Sequence, residues 1–333
     1  MAGMLGDQIS APPTDTITRL LFSRHSNLLL AASWDSTVRL YHVDSRTNPM
    51  ISKQRSPVMD VTYPEDNTAY CGLLSGEIRR IMCPSGQDVT MGAHEGAVRC
   101  MEWVQSRNFL VSGSWDQTIK VWDPRNPQPL VKSVALPGRV FAMSCAGDRL
   151  VVAMSKRLVH IYDARKLEDF GVAEQRRESS LKHMTRCVAT YPDGTGYALA
   201  SVEGRCAMEP LAPEAQAAGG KYAFKCHRTA DPLGGPETIY PVHCIAFHPI
   251  HGTFATGGGD GVVNIWDGAN KKRLFQISRY PTSVASLSFS PDGQYMAVAS
   301  SYCWEQGDRT DMPPTSIFLR QVAEAEVRPK SRH

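Results

Sequence analysis

The sequence has no long hydrophobic run and no N-terminal segment that joins basic residues to an apolar stretch. Nowhere do about 18 apolar residues follow one another, which is the length that a membrane-spanning helix needs. The segment from Met1 to Asp7 lacks the charged and apolar regions of a signal peptide. We therefore expect a protein that is neither secreted nor embedded in a membrane.

Charge of one sign and paired cysteines are also scarce. The chain has 36 Lys and Arg against 33 Asp and Glu, so its net charge of +3 is far from that of a nucleic-acid-binding tail or an acidic disordered chain. Its hydrophobic fraction of 42% is typical of a globular protein. The nine cysteines stand singly, with no Cys-x-x-Cys pair. This pattern favours a reducing compartment, the cytosol or the nucleus.

The motifs of common enzymes are absent. No His-Glu-x-x-His, Gly-x-Ser-x-Gly, phosphate-loop or protein kinase signature occurs, and no set of Cys and His residues has the spacing of a zinc site. The glycine-rich run Gly257–Gly261 fits a tight turn between two strands. His94 and Asp116 fit a pair that ties neighbouring turns together through buried hydrogen bonds. We predict no catalytic residues, no metal and no cofactor.

What the sequence does have is an internal repeat of about 40 residues. The clearest unit begins at His94 and ends at Trp122-Asp123, the ending that is typical of a four-stranded propeller blade. Six further units align to it and fill the chain. A single unit would expose its sheet face and edges, so the units must close into a ring. We predict an all-β, seven-bladed WD-repeat β-propeller, one domain over residues 1–333 with short terminal tails.

The predicted ring lacks one outer strand. We assign this gap to the first blade, and either Asp7–Ala11 or the tail Val322–Lys330 could fill it; the sequence leaves both open. The Ala-rich stretch Pro213–Ala218 has weak helical character, but the glycine pair that follows it favours a surface loop.

Two tryptophans stand at one face of the predicted ring. Because antiparallel strands alternate their ends, the turn between the second and third strands and the entry to the first strand share a face in every unit. Trp34 and Trp115 stand just before such turns, where a large side chain is hard to bury. We expect them to anchor a partner peptide, the alternative being that each packs under an adjacent loop.

Basic residues reach the same face. The register puts Arg186, Arg205 and Lys225 at this rim, and Arg205 stands at a turn where other units carry Ser, Thr or Gly. Converging Arg and Lys charges suit a phosphate or a carboxylate. The alternative is a solvated basic face with scattered ion pairs. Nucleic acid is a weaker interpretation, since the whole chain is nearly neutral.

Five segments go beyond the Trp-Asp endings that all WD-repeat proteins share. They are Gln175–Lys182, Ser201–Arg205, Lys221–Arg228, Phe254–Leu274 and Arg279–Leu287. These segments resemble Bub-type mitotic checkpoint WD-repeat proteins, and the resemblance covers essentially the whole chain. The related Rae/Gle-type mRNA-export propellers share the first three segments but are less similar in the last two. Ala212–Gly220, Thr229–Thr238 and the extreme N-terminus depart from the family pattern.

The resemblance implies a non-enzymatic adaptor of the spindle assembly checkpoint. Family members bind the GLEBS segment of Bub-type checkpoint kinases and pseudokinases. They also read phosphorylated Met-Glu-Leu-Thr repeats of a kinetochore scaffold, and so recruit the kinases to unattached kinetochores. Carried over to the matching positions, Trp34, Trp115 and Arg186 would contact the GLEBS segment, while Arg205 and Lys225 would hold the phosphothreonine. The resemblance also implies a nuclear protein with a cytoplasmic pool that moves to kinetochores in mitosis, monomeric by itself and without a membrane partner.

Two other functions remain open. An mRNA-export scaffold would bind the GLEBS segment of a nucleoporin and use a basic surface for RNA. A substrate receptor of a ubiquitin ligase is suggested by Trp122–Arg125 and the similar Tyr162–Arg165. Such endings also arise by chance wherever a blade ends before a basic loop.

Overall fold

The prediction of a seven-bladed propeller is confirmed. The computed structural model describes residues 5–45, 47–166, 171–277 and 279–330, and in them seven four-stranded antiparallel sheets form the blades. The blades arise from runs of about five or six residues rich in Val, Ile, Leu and Ala, a length and composition that suit strands. Within these residues, no helix is both long and apolar enough to cross a bilayer.

In blades 1 to 6 the strands follow the chain from the centre of the ring outward, whereas blade 7 takes its outermost strand from the N-terminal segment. β1 is Asp7–Gln8; blade 1 comprises β2 Ile17–Phe22, β3 Leu28–Ser33, β4 Thr37–His42 and β5 Met50–Lys53; blade 2 comprises β6 Val58–Glu65, β7 Thr68–Leu73, β8 Glu77–Met82 and β9 Asp88–Ala93; blade 3 comprises β10 Val98–Val104, β11 Phe109–Ser114, β12 Thr118–Trp122 and β13 Leu130–Ala135; blade 4 comprises β14 Val140–Ala146, β15 Arg149–Met154, β16 Leu158–Asp163 and β17 Gln175–Glu178.

The remaining strands build three blades and one small hairpin. Blade 5 comprises β18 Thr185–Thr190, β19 Gly196–Ser201, β20 Arg205–Pro210 and β21 Tyr222–Lys225; the hairpin comprises β22 Arg228–Thr229 and β23 Thr238–Ile239; blade 6 comprises β24 Val242–Phe247, β25 Phe254–Gly258, β26 Val263–Asp267 and β27 Lys272–Ile277; blade 7 comprises β28 Val284–Phe289, β29 Tyr295–Ser300, β30 Ser316–Gln321 and β1.

The core lies between neighbouring blades. The innermost strand of each blade contacts those of the two adjacent blades, including β2 against β28, so the ring is closed. Leu30 and Val61 pack in the cluster between blades 1 and 2, and Val111 and Val152 in the cluster between blades 3 and 4. Each such side chain contributes about 1.5–3 kcal/mol when fully buried.

The strand that closes the ring comes from the N-terminal segment. β1 pairs with β30, with Asp7 opposite Leu319 and Gln8 opposite Phe318. Our assignment of the gap to the first blade is therefore wrong. Met50–Lys53 supplies the fourth strand of that blade, and the gap lies in blade 7, where the two ends of the repeat array meet.

The two segments for which the sequence left alternatives form short helices. The C-terminal segment forms α2, Glu324–Val327, which contacts blade 6. The Arg320 guanidinium of β30 donates two hydrogen bonds of 2.6 Å to Glu326 and so ties this helix to blade 7. The predicted surface loop Pro213–Ala218 instead begins as the exposed helix α1, Pro213–Ala215, and continues in one wide turn through Gln216–Gly220.

A buried hydrogen-bond chain holds blade 3 together, as predicted for His94 and Asp116. The His94 Nδ1 atom lies 3.0 Å from Asp116 Oδ2, and its Nε2 atom lies 2.7 Å from Ser112 Oγ, which also accepts from Trp122 Nε1 at 2.8 Å. Burial lowers the pKa of His94 to about 4, so the ring stays neutral at physiological pH. Blade 6 repeats the arrangement with His227, Asp260, Thr256 and Trp266.

Closure by β1 leads to a stability prediction at Gly6. Its φ is +96°, and an added Cβ would lie 2.4 Å from the Leu319 carbonyl oxygen. Gly147 also has a positive φ, of +54°, but its Cβ would meet no atom within 4 Å. Gly147→Ala should cost only the left-handed backbone penalty of about 1 kcal/mol, whereas Gly6→Ala should lower the free energy of urea unfolding by about 2–3 kcal/mol. Equal losses in the two variants would show that β1 adds nothing to blade 7.

Candidate functional site

Every innermost strand carries a β-bulge at the same position. In each blade the pairing between the first and second strands skips the second residue of the first strand, which has no partner opposite it. A bulge turns the extra side chain away from the regular alternation of the sheet. Because the bulges lie at the entry to the first strands, they surround the mouth of the central channel on one face. The skipped residues are Thr18, Met59, Arg99, Phe141, Arg186, His243 and Ala285.

A cavity of about 520 Å³ opens at this mouth, and we call it the basin. Trp34, Trp115 and Arg186 all line it, so the structure brings together three of the predicted site residues. Its other lining residues are Asp15, Thr16, Thr18, Met59, Arg99, His243, Ala285, Cys303 and Trp304. The basin thus combines large aromatic surfaces with two arginines, an arrangement that suits an extended peptide with apolar and acidic side chains.

The two predicted tryptophans are held by turns of the same design. Asp35, next to Trp34, accepts hydrogen bonds from the backbone N–H (3.0 Å) and hydroxyl (2.6 Å) of Thr37. Asp116 builds the matching turn beside Trp115. Such Asp-based turns fix the backbone without using the side chain of the neighbouring residue. Trp34 and Trp115 are each 37% exposed.

Arg186 reaches the basin from blade 5 and is held by a chain of polar groups. Its Nε atom donates to His243 Nδ1 at 3.3 Å, and His243 Nε2 donates to Glu305 Oε1 at 2.6 Å. Burial lowers the pKa of His243. Burial opposes ionisation of Glu305, but hydrogen bonds from His243 and Ser283 outweigh it and lower the pKa of this carboxyl. The basin therefore carries a fixed Arg186 cation beside a neutral imidazole.

One group of potential metal ligands lies next to the basin. Within the described residues, donor atoms of His243, Cys303 and Glu305 lie within 4.8 Å of one another. His243 and Glu305 already satisfy each other by a hydrogen bond, and burial raises the pKa of the Cys303 thiol to about 12. The thiol is therefore protonated at physiological pH and donates to the Ser301 carbonyl oxygen at 3.4 Å, whereas His243 and Glu305 position Arg186.

Arg205 and Lys225 form a second, separate feature, which we call the rim pair. They are direct partners across β20 and β21, so their side chains leave the sheet on the same side. Both stand at the end of blade 5 that faces the basin, but on its two outer strands, whereas Arg186 stands on the innermost strand. The Lys225 side chain is 60% exposed, and its Nζ atom lies 3.5 Å from Glu237 Oε2.

Other basic residues of the same region serve the scaffold. The Arg177 guanidinium donates to the carbonyl oxygens of Pro210 and Leu211, at 2.8 Å and 2.7 Å. Lys221 pairs with the buried Glu209 at 3.2 Å. These contacts lie at the far end of blade 5 from the rim pair. Arg177 and Lys221 are therefore engaged within the scaffold and add no charge to the rim pair.

The Trp-Asp-x-Arg endings lie on the opposite face. The third strand of each blade ends away from the basin, and the arginine of each ending folds back on its own aspartate. Arg125 Nε donates to Asp123 Oδ1 at 2.7 Å, and Arg165 Nη2 donates to Asp163 Oδ2 at 2.6 Å. Both motifs thus form local ion pairs that cap the ends of strands.

The comparisons with known proteins agree with this geometry. Residues 7–42, 87–123, 225–267 and 272–309 match the family model for the WD domain, G-beta repeat. Over 331 residues the chain is 49% identical to mitotic checkpoint protein BUB3.1 of Arabidopsis thaliana, an alignment that covers 98% of this chain and 96% of that protein. It is 41% identical to mitotic checkpoint protein bub3 of Dictyostelium discoideum, with 96% of each chain covered. The chain belongs to the Bub3 family of mitotic checkpoint proteins.

One further relative and one solved structure are also similar to this Bub3-family chain. It is 34% identical over 338 residues to a poly(A)+ RNA export protein of Schizosaccharomyces pombe, covering 98% of this chain and 93% of that protein. In the crystal structure of a mitotic checkpoint complex, one chain matches with a TM-score of 0.72 at 17% identity, covering 95% and 90% of the two chains. The first agrees with the predicted relationship to mRNA-export propellers, and the second shows the shared propeller fold.

Several basin residues of this Bub3-family chain were not predicted from the sequence. Arg99 and His243 occupy the same repeat position as Arg186, second in the innermost strand, and could have been found by aligning the units at that position. Trp304 follows the second strand of blade 7 at a slightly larger spacing than Trp34 follows that of blade 1. It is 55% exposed and lines the basin.

Proposed function

We propose that this chain is a spindle-checkpoint adaptor that acts by binding two peptides on one face of the propeller. The GLEBS segment of a Bub-type checkpoint kinase or pseudokinase lies in the basin, and a phosphorylated Met-Glu-Leu-Thr repeat of a kinetochore scaffold binds at the rim pair. The observation that carries this proposal is the shared face: the basin and the rim pair open on the same side of blade 5.

The basin suits the first peptide because of its chemistry. Trp34 and Trp115 offer rigid apolar surfaces that are already exposed, so a peptide gains contact area without rearranging the turns. Arg186 offers a fixed cation to an acidic side chain of the peptide, and its network with His243 lowers the entropic cost of that contact. Arg99 adds a second cation to the same cavity.

The rim pair suits a phosphorylated residue because two cationic side chains leave adjacent strands together. A phosphothreonine carries a charge of about −1.5 to −2 at pH 7 and three strong acceptor oxygens. The Arg205 guanidinium can donate two parallel hydrogen bonds to it, and Lys225 can add a point charge. In this arrangement the scaffold binds only when its threonine is phosphorylated. The kinase, bound through its GLEBS segment in the basin, is thereby recruited to the scaffold. We therefore propose a nuclear protein that is found at kinetochores in mitosis.

Phosphopeptide binding tests the rim pair directly. We expect a fluorescent Met-Glu-Leu-Thr peptide to bind by anisotropy only when its threonine is phosphorylated, and added salt to weaken binding. Arg205→Ala should weaken it at least tenfold, since a charge-assisted hydrogen bond contributes about 1.5–3 kcal/mol. Lys132→Ala removes an exposed lysine from the outer strand of blade 3 and is the charge-matched control, with wild-type affinity expected. Equal affinity for the two peptide forms would contradict the proposal.

The basin has its own test with a GLEBS peptide. Trp34→Ala and Trp115→Ala should each weaken binding by about 2 kcal/mol, roughly 30-fold, as expected for an aromatic anchor. Because both indoles are exposed beside turns that do not use their side chains, the thermal unfolding temperature should change little. Leu130→Ala truncates a side chain of similar exposure, 46%, on an outer strand and should bind as wild type. A 30-fold loss of affinity in the Leu130 variant as well would contradict binding of the GLEBS peptide in the basin.

A second candidate function is an mRNA-export scaffold, which the 34% identity to the fission yeast poly(A)+ RNA export protein favours. Such a scaffold would also use the basin for a GLEBS segment, but from a nucleoporin. It would bind RNA with a steep dependence on salt concentration and would show no preference for phosphorylated peptide. The phosphopeptide experiment therefore separates the two functions.

A further inference from the structure

The insertion between blades 5 and 6 lies beside the rim pair. Its hairpin pairs Arg228 with Ile239 and Thr229 with Thr238. The turn that precedes Arg205 packs directly against the base of this hairpin: a Cβ at Gly204 would lie 2.7 Å from the His227 carbonyl oxygen. The insertion is therefore fixed beside the proposed phosphate site rather than extending away from it.

A carboxylate of this insertion already contacts the cations of the site. Glu237 Oε2 accepts a hydrogen bond of 2.9 Å from Arg228 Nη1 and lies 3.5 Å from Lys225 Nζ. The hydrogen bond from Arg228, supported by the charge of Lys225, lowers the pKa of Glu237. The carboxylate is therefore ionised at physiological pH, and its position next to Lys225 is one that a bound phosphate would need.

The cations around Glu237 keep unused hydrogen-bond donors. Within the described residues, no hydrogen bond or ion pair involves the Arg205 guanidinium. The Nη2 atom of Arg228 donates to the Glu203 carbonyl oxygen at 2.8 Å, but its Nε atom is buried without an acceptor. Lys225 and Arg228 thus share one monoanionic carboxylate, and Arg205, the strand partner of Lys225, adds a third cation to the site. A phosphate dianion, with more charge and more acceptor atoms, matches these donors better.

We propose that Glu237 is a built-in competitor for the phosphate site, an inference that rests on the proposed phosphopeptide function. In the free protein its carboxylate holds Lys225 and Arg228, and a phosphorylated residue binds only by displacing it. An anion can bind only to the fraction of molecules in which the Glu237 carboxylate has moved away. The apparent affinity of every anion that needs the site is therefore reduced by that same fraction. Weak anions are thereby kept off, while a phosphopeptide with further contacts still binds.

The test is Glu237→Gln, which keeps the shape of the side chain and removes its charge. We expect it to tighten binding of the phosphorylated Met-Glu-Leu-Thr peptide by about threefold to tenfold and to leave binding of the unphosphorylated peptide unchanged. Glu237→Asp keeps the charge and should stay close to wild type. Glu95→Gln makes the same charge change at an exposed position of blade 3 on the same face, and it should have no effect. Unchanged or weaker phosphopeptide binding in Glu237→Gln would overturn the inference.

A second readout separates this inference from the proposed function. Titration of wild type and Glu237→Gln with inorganic phosphate, followed by the NMR signals of the arginine Nε–H groups, measures competition at the site without any peptide. Tighter phosphate binding in the variant supports the competitor role even if the wild type fails to distinguish the two peptides. If peptide binding depends on phosphate but Glu237→Gln does not strengthen it, the adaptor function is supported and the competitor role of Glu237 is contradicted.

Discussion

The structure depends on one constraint: the two ends of the repeat array must join in a single sheet. The pairing of β1 with β30 meets this constraint, because the N-terminal strand completes the blade built by the last repeat. Closure forces the innermost strands to converge on one axis. Their entries crowd around one opening, and the bulge in each strand aims a side chain into it. The basin is thus a consequence of closing the ring from bulged repeats.

On the face that carries the basin, the kind of side chain changes with distance from the ring axis. Near the axis, aromatic rings and arginines line the cavity that we propose binds an extended peptide. Farther out on blade 5, the rim pair and the hairpin carry charge on the outer strands and in a connection. Residues on innermost strands are fixed by neighbours on both sides, whereas a connection is free to vary. The basin and the proposed phosphate site therefore rest on different parts of the fold, the first on innermost strands and the second on outer strands and a connection.

The sequence predicted the repeat, the blade count and the face that carries Trp34, Trp115, Arg186, Arg205 and Lys225, because strand alternation alone determines which ends meet. It could not predict the bulges, because each lies at the second residue of its strand, too close to the strand's start for a break in the alternation to be recognised. It left the closing strand open because two exposed residues carry no periodic signal. The contact of Glu237 with Lys225 depends on how an insertion folds back, which no local pattern encodes. Functional details that depend on register or loop conformation therefore required the structure.

The central claim is that the basin and the rim pair are separate sites that work at the same time. Native mass spectrometry of the full chain with a GLEBS peptide and a phosphorylated Met-Glu-Leu-Thr peptide tests it most directly. The account predicts a ternary complex with one copy of each peptide, and the same population of bound phosphopeptide whether or not the basin is saturated. Displacement of one peptide by the other would contradict the account, because it would mean that both ligands compete for a single site.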